Sequence, residues 1–363
     1  MPKTICFTVT NDLTYDQRMH RICGSLAKDG YDVLLVGREL PASRPPQPEA
    51  VRQKRIRCFF HKGSAFYAEY NLRLFFFLLS QKMDVICSID LDTILPGLFV
   101  SKIKGVTRVY DAHEYFTELK EVRTRPRVRK IWTAIERYAV PQFRWGYTVS
   151  EGLAEAFREK YGRSYDVIRN LPVLKPMVKK PKAEKLLLYQ GAVNEARGFE
   201  WLIPAMKKIR YRLVVCGDGN FMEKLKQLIR LNGVEEKVEL RGMMLPQQLK
   251  EAAAEATLGI GLAESEGINQ FHALPNKLLE YMHAGLPQVA MNFPEYQKIN
   301  SQYRIAVRLD KLDVNEIAET VNRTMEDDAL LQEMQENALR AREVFCWQQE
   351  EKKLLQFYSE IFS

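Results

Sequence analysis

The sequence contains no run of about 20 apolar residues, the length needed to cross a bilayer. Its most apolar stretch, residues 72–79, is broken by Arg73 and closed by Lys82. Near the start, Thr8, Thr10, Asn11 and Asp12 interrupt what would otherwise be the apolar centre of a signal peptide. Cysteine is sparse: the six residues, Cys6, Cys23, Cys58, Cys87, Cys216 and Cys346, show no paired ligand spacing. Several fall inside apolar strand-like runs, so they read as reduced core thiols and the compartment reads as cytoplasm. No G-x-G-x-x-G follows the first apolar run, and Gly217-x-Gly219 alone is a poor fingerprint, which disfavours a nicotinamide dehydrogenase. No Asp-x-Asp stands on a loop suited to metal. Asp90-Leu91-Asp92 opens a helical pattern, and the pair is expected to cap it. Neither a metal nor a cofactor is expected. Aromatic–basic interleaving is also missing, so nucleic acid is not an expected partner.

The apolar content that is present suffices for two cores. The chain has 363 residues, 46% of them hydrophobic and 28% charged, and a single core stops growing at roughly 250–300 residues. The net charge of +8 points to an anionic partner. Part of it clusters: Arg123, Arg125, Arg127, Arg129, Lys130 and Arg137 face Glu136 as the one acid between Arg123 and Arg137. This is either a solvated helix face or a patch for an anionic membrane, worth about 1 kcal/mol per basic residue.

Short apolar runs alternate with helical patterns from end to end. Residues 5–9 read as a strand, 15–28 carry apolar side chains at helical spacing, and 33–36 read as a strand again. Further strands are expected at 85–88, 107–110, 146–149, 186–189, 213–216, 238–240, 258–262 and 288–291. Helical patterns cover 223–231, 278–283 and a charged amphipathic segment at 347–362. Residues 44–47, with Pro45 and Pro46, read as a loop. The apolar segment 75–79 reads first as a buried helix and second as a surface for a lipid-linked acceptor.

Strands apolar on both faces and separated by helices belong to parallel sheets covered on both sides. The rhythm breaks over 171–182, which holds Pro172, Pro176, Pro181 and four lysines, and then restarts. The expected fold is therefore α/β, with two Rossmann-like doubly wound domains facing across a cleft. The domains span 1–171 and 184–345, joined by a linker at 172–183, and a helix at 346–363 crosses back to the first. Ligands of such sheets bind at the carboxyl ends of the strands.

The strongest local signal runs Leu274-Pro275-Asn276-Lys277-Leu278-Leu279-Glu280-Tyr281-Met282, followed by Ala284-Gly285-Leu286-Pro287. Pro275 suits the first turn of a helix, and Gly285 with Pro287 stops it. Backbone N–H groups and the dipole at that start can hold a diphosphate, with Lys277 as an added cation. Glu280 can accept bonds from both ribose hydroxyls. A capped core helix with a surface glutamate explains the same residues equally well.

This segment resembles the nucleotide-ribose segment of glycosyltransferase family 4, the retaining enzymes of the twin-Rossmann GT-B fold. Other pieces similar to the family follow in its order. The first half supplies Thr10-Asn11-Asp12-Leu13, Asp16-Gln17-Arg18, Asp111-Ala112-His113-Glu114, Val149-Ser150-Glu151-Gly152 and Arg169-Asn170-Leu171-Pro172. The second supplies Gln190-Gly191, Arg197-Gly198, Cys216-Gly217-Asp218-Gly219 and Leu240-Arg241-Gly242.

The resemblance implies roles residue by residue. Arg197 pairs with the donor diphosphate and acts in catalysis, a planar guanidinium suiting phosphate geometry. Glu280 holds the ribose. Backbone groups near Gly242 and Met243 border the base, those of Leu274, Pro275 and Asn276 the phosphates, and Gly191 and Gly217 belong to the same donor site. His113 lines the sugar site and assists donor or acceptor, with Asp111 and Glu114 orienting it or capping the loop. Asn11, Asp12, Asp16 and Arg18 form an acceptor or phosphate loop. That loop lacks the family's glycines, so side chains replace close backbone approach. An N-capping role for Asp12 or Thr14 is an equal alternative. The family's first glutamate stands eight positions before the ribose glutamate. Here that position is His272, which contacts the transferred sugar and changes its recognition.

The implied activity is retaining transfer of a hexose from a nucleoside diphosphate sugar, the co-substrate, without a metal. The acceptor is a glycan or lipid-linked saccharide of cell-surface polysaccharide synthesis. The enzyme is placed in the cytoplasm and peripherally at the inner face of the membrane, with the anionic surface as a partner. Two rivals remain at this point: a sugar-nucleotide epimerase on the same fold, and a noncatalytic nucleotide-binding scaffold at the membrane.

Overall fold

A computed structural model of the chain describes residues 2–14, 16–41, 43, 51–177 and 184–363, with Glu121 described by its backbone alone. The segment 44–47, read above as a loop, and the second half of the linker lie outside the described residues. The chain divides into two compact units. Unit 1 is Met1–Asn170, Gly267–Asn269 and Glu350–Ser363; unit 2 is Leu171–Glu266 and Gln270–Gln349.

Unit 1 begins with β1 (Thr4–Asp12), α1 (Gln17–Lys28), β2 (Asp32–Glu39), β3 (Arg52–Arg57) and α2 (Gly63–Ser80). It continues through β4 (Val85–Ile89), α3 (Ile94–Lys104), β5 (Thr107–Ala112), α4 (Lys120–Arg123), α5 (Pro126–Ala139), β6 (Trp145–Thr148), α6 (Glu151–Tyr161) and β7 (Asp166–Val167). All seven strands pair in parallel, in the order β3-β2-β1-β4-β5-β6-β7. The middle strand β4 is buried at every residue, which explains why Ser88 is its one polar side chain.

Unit 2 carries β8 (Leu186–Gln190), α7 (Phe199–Ala205), β9 (Arg212–Cys216), α8 (Met222–Asn232), β10 (Val238–Gly242), α9 (Pro246–Glu255) and β11 (Leu258–Gly261). The short α10 (Ile268–His272) comes next, followed by α11 (Asn276–His283), β12 (Gln288–Met291), α12 (Pro294–Gln302), β13 (Ala306–Leu309), α13 (Val314–Glu326) and α14 (Asp328–Val344). Its parallel sheet runs β10-β9-β8-β11-β12-β13. The final helix, α15 (Trp347–Phe362), packs on unit 1, where Tyr358 is fully buried with its ring 6.0 Å from Phe7 and 6.4 Å from Tyr147.

The doubly wound α/β reading thus holds for both units. Strand order reverses between β1 and β4 in unit 1 and between β8 and β11 in unit 2, so the loops leaving those strands flank the natural ligand crevices. Three strands escaped the sequence pattern, one of them the two-residue β7. β3 reads Arg-Gln-Lys-Arg-Ile-Arg and buries Ile56 alone, as an edge strand can. β13 is the opposite edge of the second sheet, with an exposed Arg308.

The buried-helix reading of 75–79 needs correction. This stretch does lie in α2, and Leu78 is buried, but Phe76 is 61% exposed. Pro275 stands one position earlier than expected, as the extended residue before α11 rather than in its first turn. All six cysteines are free and buried.

Candidate functional site

In unit 2 several of the residues expected to bind a donor gather where β8 ends. Its last residue, Gln190, donates its backbone N–H to the Tyr281 hydroxyl at 2.9 Å, and that hydroxyl donates to the Leu188 carbonyl at 3.0 Å. Tyr281 therefore pins α11 to the strand. Lys277 and Glu280 lie four and one positions before it, so the same helix face carries them to the strand end. Gln190 Nε2 donates to Glu280 Oε2, while the buried Gln190 Oε1 has no partner. The Lys277 ammonium sits 3.6 Å from the centroid of the Tyr189 ring. Its nitrogen is buried without a hydrogen-bond partner. Burial first, and then the charge of Arg197, push its pKa well below the ordinary lysine value, against the pull of Glu280.

Arg197 reaches this place on a constrained turn. Ala196 has φ 63° and Gly198 φ 75°, and the Ala196 carbonyl accepts from Glu264 N–H and Gln270 Nε2, each at 3.1 Å. A Cβ at position 198 would meet Leu262 Cβ at 2.9 Å, so glycine lets the turn press against the strand beside it. Among the described residues Arg197 forms no ion pair. Its charge acts on Lys277, Tyr189 and Tyr296, and the positive end of the α11 dipole adds to the positive potential there.

Gly191, Gly217 and Gly242 end β8, β9 and β10 and are laced together: Gly191 N–H donates to Cys216 O at 2.9 Å, and Gly217 N–H to Gly242 O at 2.8 Å. At Gly217 a Cβ would stand 1.9 Å from the Gly191 carbonyl oxygen, so only glycine permits this backbone approach. Met243 follows with its side chain 78% exposed, and Leu274 turns into the core. His272 is half-buried, its ring edge-on to Phe271 at 5.1 Å and its Nδ1 buried without a partner. Two surface depressions of this unit, one bounded by Thr257 and Pro287 and the other by Arg210, lie at the amino ends of the strands, away from these residues.

In unit 1, His113 follows β5 and is held from both sides. Its Nε2 lies 3.0 Å from Asp111 Oδ2, its Nδ1 3.7 Å from Asp90 Oδ2, and its backbone N–H donates to Asp90 Oδ1 at 2.8 Å. Burial alone would lower its pKa, but Asp111 and Asp90 outweigh it and raise the value above 6.5. Asp111 is fully buried and bonded to the buried Arg18 at 3.1 Å; Arg18 also donates to the Ile168 carbonyl at 3.2 Å. Burial would raise the Asp111 pKa, yet Arg18 and then His113 hold it below the ordinary value.

Several expectations for this unit change. Asp16, rather than Asp12 or Thr14, caps α1, accepting from Met19 N–H at 3.1 Å and from Asn11 Nδ2 at 3.2 Å. Asp12 instead holds Thr14 through both its N–H and its hydroxyl. Arg18 points inward to Asp111 and so does not present its guanidinium on the loop. Asp90 and Asp92 cap nothing: Asp90 holds His113, and Asp92 accepts from the Thr10 hydroxyl.

Asp90 has φ 52° and ψ 177°, outside the left-handed helical region, a strained backbone that costs about 1–3 kcal/mol. Burial pushes its pKa to about 7 and that of Asp92 to about 6. Between pH 3.8 and 7 the folded chain binds a proton at Asp90 that the unfolded chain has released, so stability falls as pH rises through that window. Asparagine has the same size and keeps an oxygen to accept from His113 N–H. Asp90→Asn is expected to unfold several degrees above wild type at pH 8, with the difference shrinking towards pH 4. Calorimetry at both pH values checks this, and an equal gap at each would sink it.

The sequence reading missed Gln190 as the residue gripping Glu280, Tyr189 as the platform under Lys277, and Asp90 as the partner of His113. A polar residue closing an apolar strand was the available signal for Gln190.

Two family profiles cover the chain nearly end to end: "Glycosyl transferase 4-like domain" over residues 15–172 and "Glycosyl transferases group 1" over 173–341. The chain belongs to the family 4-like glycosyltransferases. This glycosyltransferase is similar to an alpha-D-kanosaminyltransferase from Streptomyces kanamyceticus, with 25% identity over 42% of the chain and 39% of the relative. It spans less than half the length of the curated relatives it matches. Its fold matches a sucrose-phosphate synthase from Thermosynechococcus elongatus, with TM-score 0.84, 14% identity and 99% of each chain covered. It also matches Anabaena HepE in complex with UDP-glucose, with TM-score 0.76, 14% identity, and 98% of this chain and 99% of that one covered. The glycosyltransferase shares its two-sheet GT-B architecture with both.

Proposed function

We propose that this glycosyltransferase moves a hexose, with retention, from a nucleoside diphosphate sugar to a glycan or lipid-linked acceptor in cell-surface polysaccharide synthesis. The enzyme works in the cytoplasm at an anionic membrane face. The observation that carries the donor reading is the convergence of Arg197, Lys277 and Glu280 at the end of β8. The cations meet the diphosphate, Glu280 takes the ribose hydroxyls, and Gln190 fixes the carboxylate for them. Leaving-group charge is then met by Arg197, Lys277 and the start of α11, an electrostatic form of catalysis that asks for no metal. The complex of HepE with UDP-glucose supports a donor of this class.

Retention draws support from unit 1. Both ring nitrogens of His113 face carboxylates, so the ring is poorly placed to take a proton from an acceptor hydroxyl. A same-face reaction, in which the departing phosphate takes that proton, needs no such base. His113 then acts through its position, held between Asp111 and Asp90, rather than as a base.

A thermal-shift panel of UDP-, GDP-, ADP- and dTDP-sugars tests the donor site. One donor is expected to stabilise the wild type. Because hydrogen bonds to a charged group contribute about 1.5–3 kcal/mol, Glu280→Ala should weaken that donor about ten- to hundredfold. Stabilisation that survives the substitution unchanged overturns the ribose assignment. The anomeric configuration of the product, read by NMR, checks retention.

A further inference from the structure

The large apolar side chains that unit 1 leaves in solvent are gathered rather than scattered. Among the described residues, and Ile268 apart, they fall on three helices and the turn before the first. Phe59 and Phe60 precede α2, which carries Leu72 and Phe76; α3 carries Phe99 and Ile103, and α5 carries Ile131 and Tyr138. The connections β3 to β4, β4 to β5 and β5 to β6 all run the same way across the sheet, so right-handed crossovers place α2, α3 and α5 on one side of it. The connection from β1 to β2 runs the opposite way and puts α1 on the other. Ring contacts tie the three helices together: Phe99 to Tyr138 at 6.5 Å and Tyr67 to Trp132 at 5.2 Å.

The outward face of each helix is a stripe. On α2, Phe66, Tyr70, Leu74 and Leu78 are buried, yet the opposite side exposes Ala65, Ala68, Leu72 and Phe76. A helix whose outer side is as apolar as its inner one lacks a partner in this unit. On α5, Arg127, Lys130, Ile131, Ala134, Arg137 and Tyr138 share the exposed side.

Charge supplies the identity of the occupant. The three helices carry two acids. Glu69 is engaged with Arg73 and with the N–H groups of Phe59 and Phe60, and Glu136 is buried, accepting from Lys160 and Tyr161. Lys102 on α3 and Arg127, Lys130 and Arg137 on α5 therefore project positive charge around the apolar side chains. A second copy of the chain would bring the same cations face to face. An anionic lipid surface instead accepts both components, apolar rings between its headgroups and cations over its phosphates.

We propose that α2, α3 and α5 form the face by which this protein sits on an anionic membrane, with Leu72, Phe76 and Tyr138 among the headgroups and Lys102, Lys130 and Arg137 over lipid phosphate. The proposal rests on the membrane-peripheral reading above and assigns it to one surface. The test is sedimentation of the full chain with vesicles of phosphatidylcholine alone or in equimolar mixture with phosphatidylglycerol. Wild type is expected to pellet with the mixed vesicles and to stay in solution with the neutral ones. Each lost charge lowers partition about fivefold, so Lys130→Glu with Arg137→Glu should lower it more than tenfold. Leu72→Ser with Phe76→Ser should lower it about tenfold. Lys224→Glu with Lys226→Glu, on unit 2, should change little.

Failure of wild type to pellet with the mixed vesicles at low salt overturns the membrane reading itself. Wild-type pelleting that the face variants keep and the unit 2 variant loses overturns this face alone. Equal pelleting with both vesicle types removes the anionic lipid from the proposal. A dimer in sedimentation velocity that Phe76→Ser disperses assigns the face to a second copy and overturns it. Thermal unfolding of each variant, matched to wild type, confirms that lost pelleting is not lost folding.

Discussion

Replacement of Arg197 by alanine is expected to cut kcat about 10²–10³-fold, the loss typical of a donor aimed at charge that develops in the transition state. The size of the effect follows from the neighbouring lysine. Burial and Arg197 together lower the Lys277 pKa well below the ordinary lysine value, so Lys277 is a poor substitute for the guanidinium at the end of β8. Removing it also lifts one cause of the lysine's depressed pKa, and the recovered ammonium returns part of the loss. Arg197→Lys should recover less than its retained charge implies, because a single ammonium lacks the planar fork that suits phosphate. Steady-state kinetics with the stabilising donor measure the effect. A rise in KM with kcat intact would place Arg197 in ground-state binding and sink the catalytic assignment.

The second large effect concerns stability. Arg18→Met leaves the Asp111 carboxylate buried without its main partner, and breaking a buried pair in this way costs about 3–5 kcal/mol. For a unit of this size that is on the order of 10 °C in Tm. The deficit should depend on pH. His113 has a pKa raised above 6.5, so its contribution is complete below that value and is lost as pH rises through the folded value. Arg18 lowers the pKa of both neighbours. Its removal lets His113 hold its proton higher and Asp111 take one sooner, and both changes favour the variant in acid. Calorimetry should therefore show a larger deficit at pH 8 than at pH 5.5. A deficit that is small, or that grows in acid, would contradict the pairing.

What the sequence disclosed tracks what its chemistry made unambiguous. β4 and β12 read as strands because every residue is buried and all but Ser88 and Gln288 are apolar. β3 escaped because an edge strand with one buried residue has no apolar pattern to read. Lys277 and Glu280 were legible as a pair because Tyr281 and Pro275 fix the helix locally. The partners that position them, Tyr189 and Gln190, lie some 90 residues earlier, and no local spacing links the two segments. Asp90 and Asp92 were misread for the same reason. A carboxylate ahead of a helix looks like a cap until the strand beside it, with His113, supplies the actual donor.

One feature of the architecture governs how such a chain is made. The segment 350–363 belongs to the unit built from the first 170 residues, and Tyr358 fills the space between Phe7 and Tyr147. As the polypeptide leaves the ribosome, unit 2 has all of its strands before that tyrosine is synthesised. The earlier sheet must wait, with an apolar face uncovered, through the whole translation of its neighbour. Completion of the first unit is thus deferred to a single late helix.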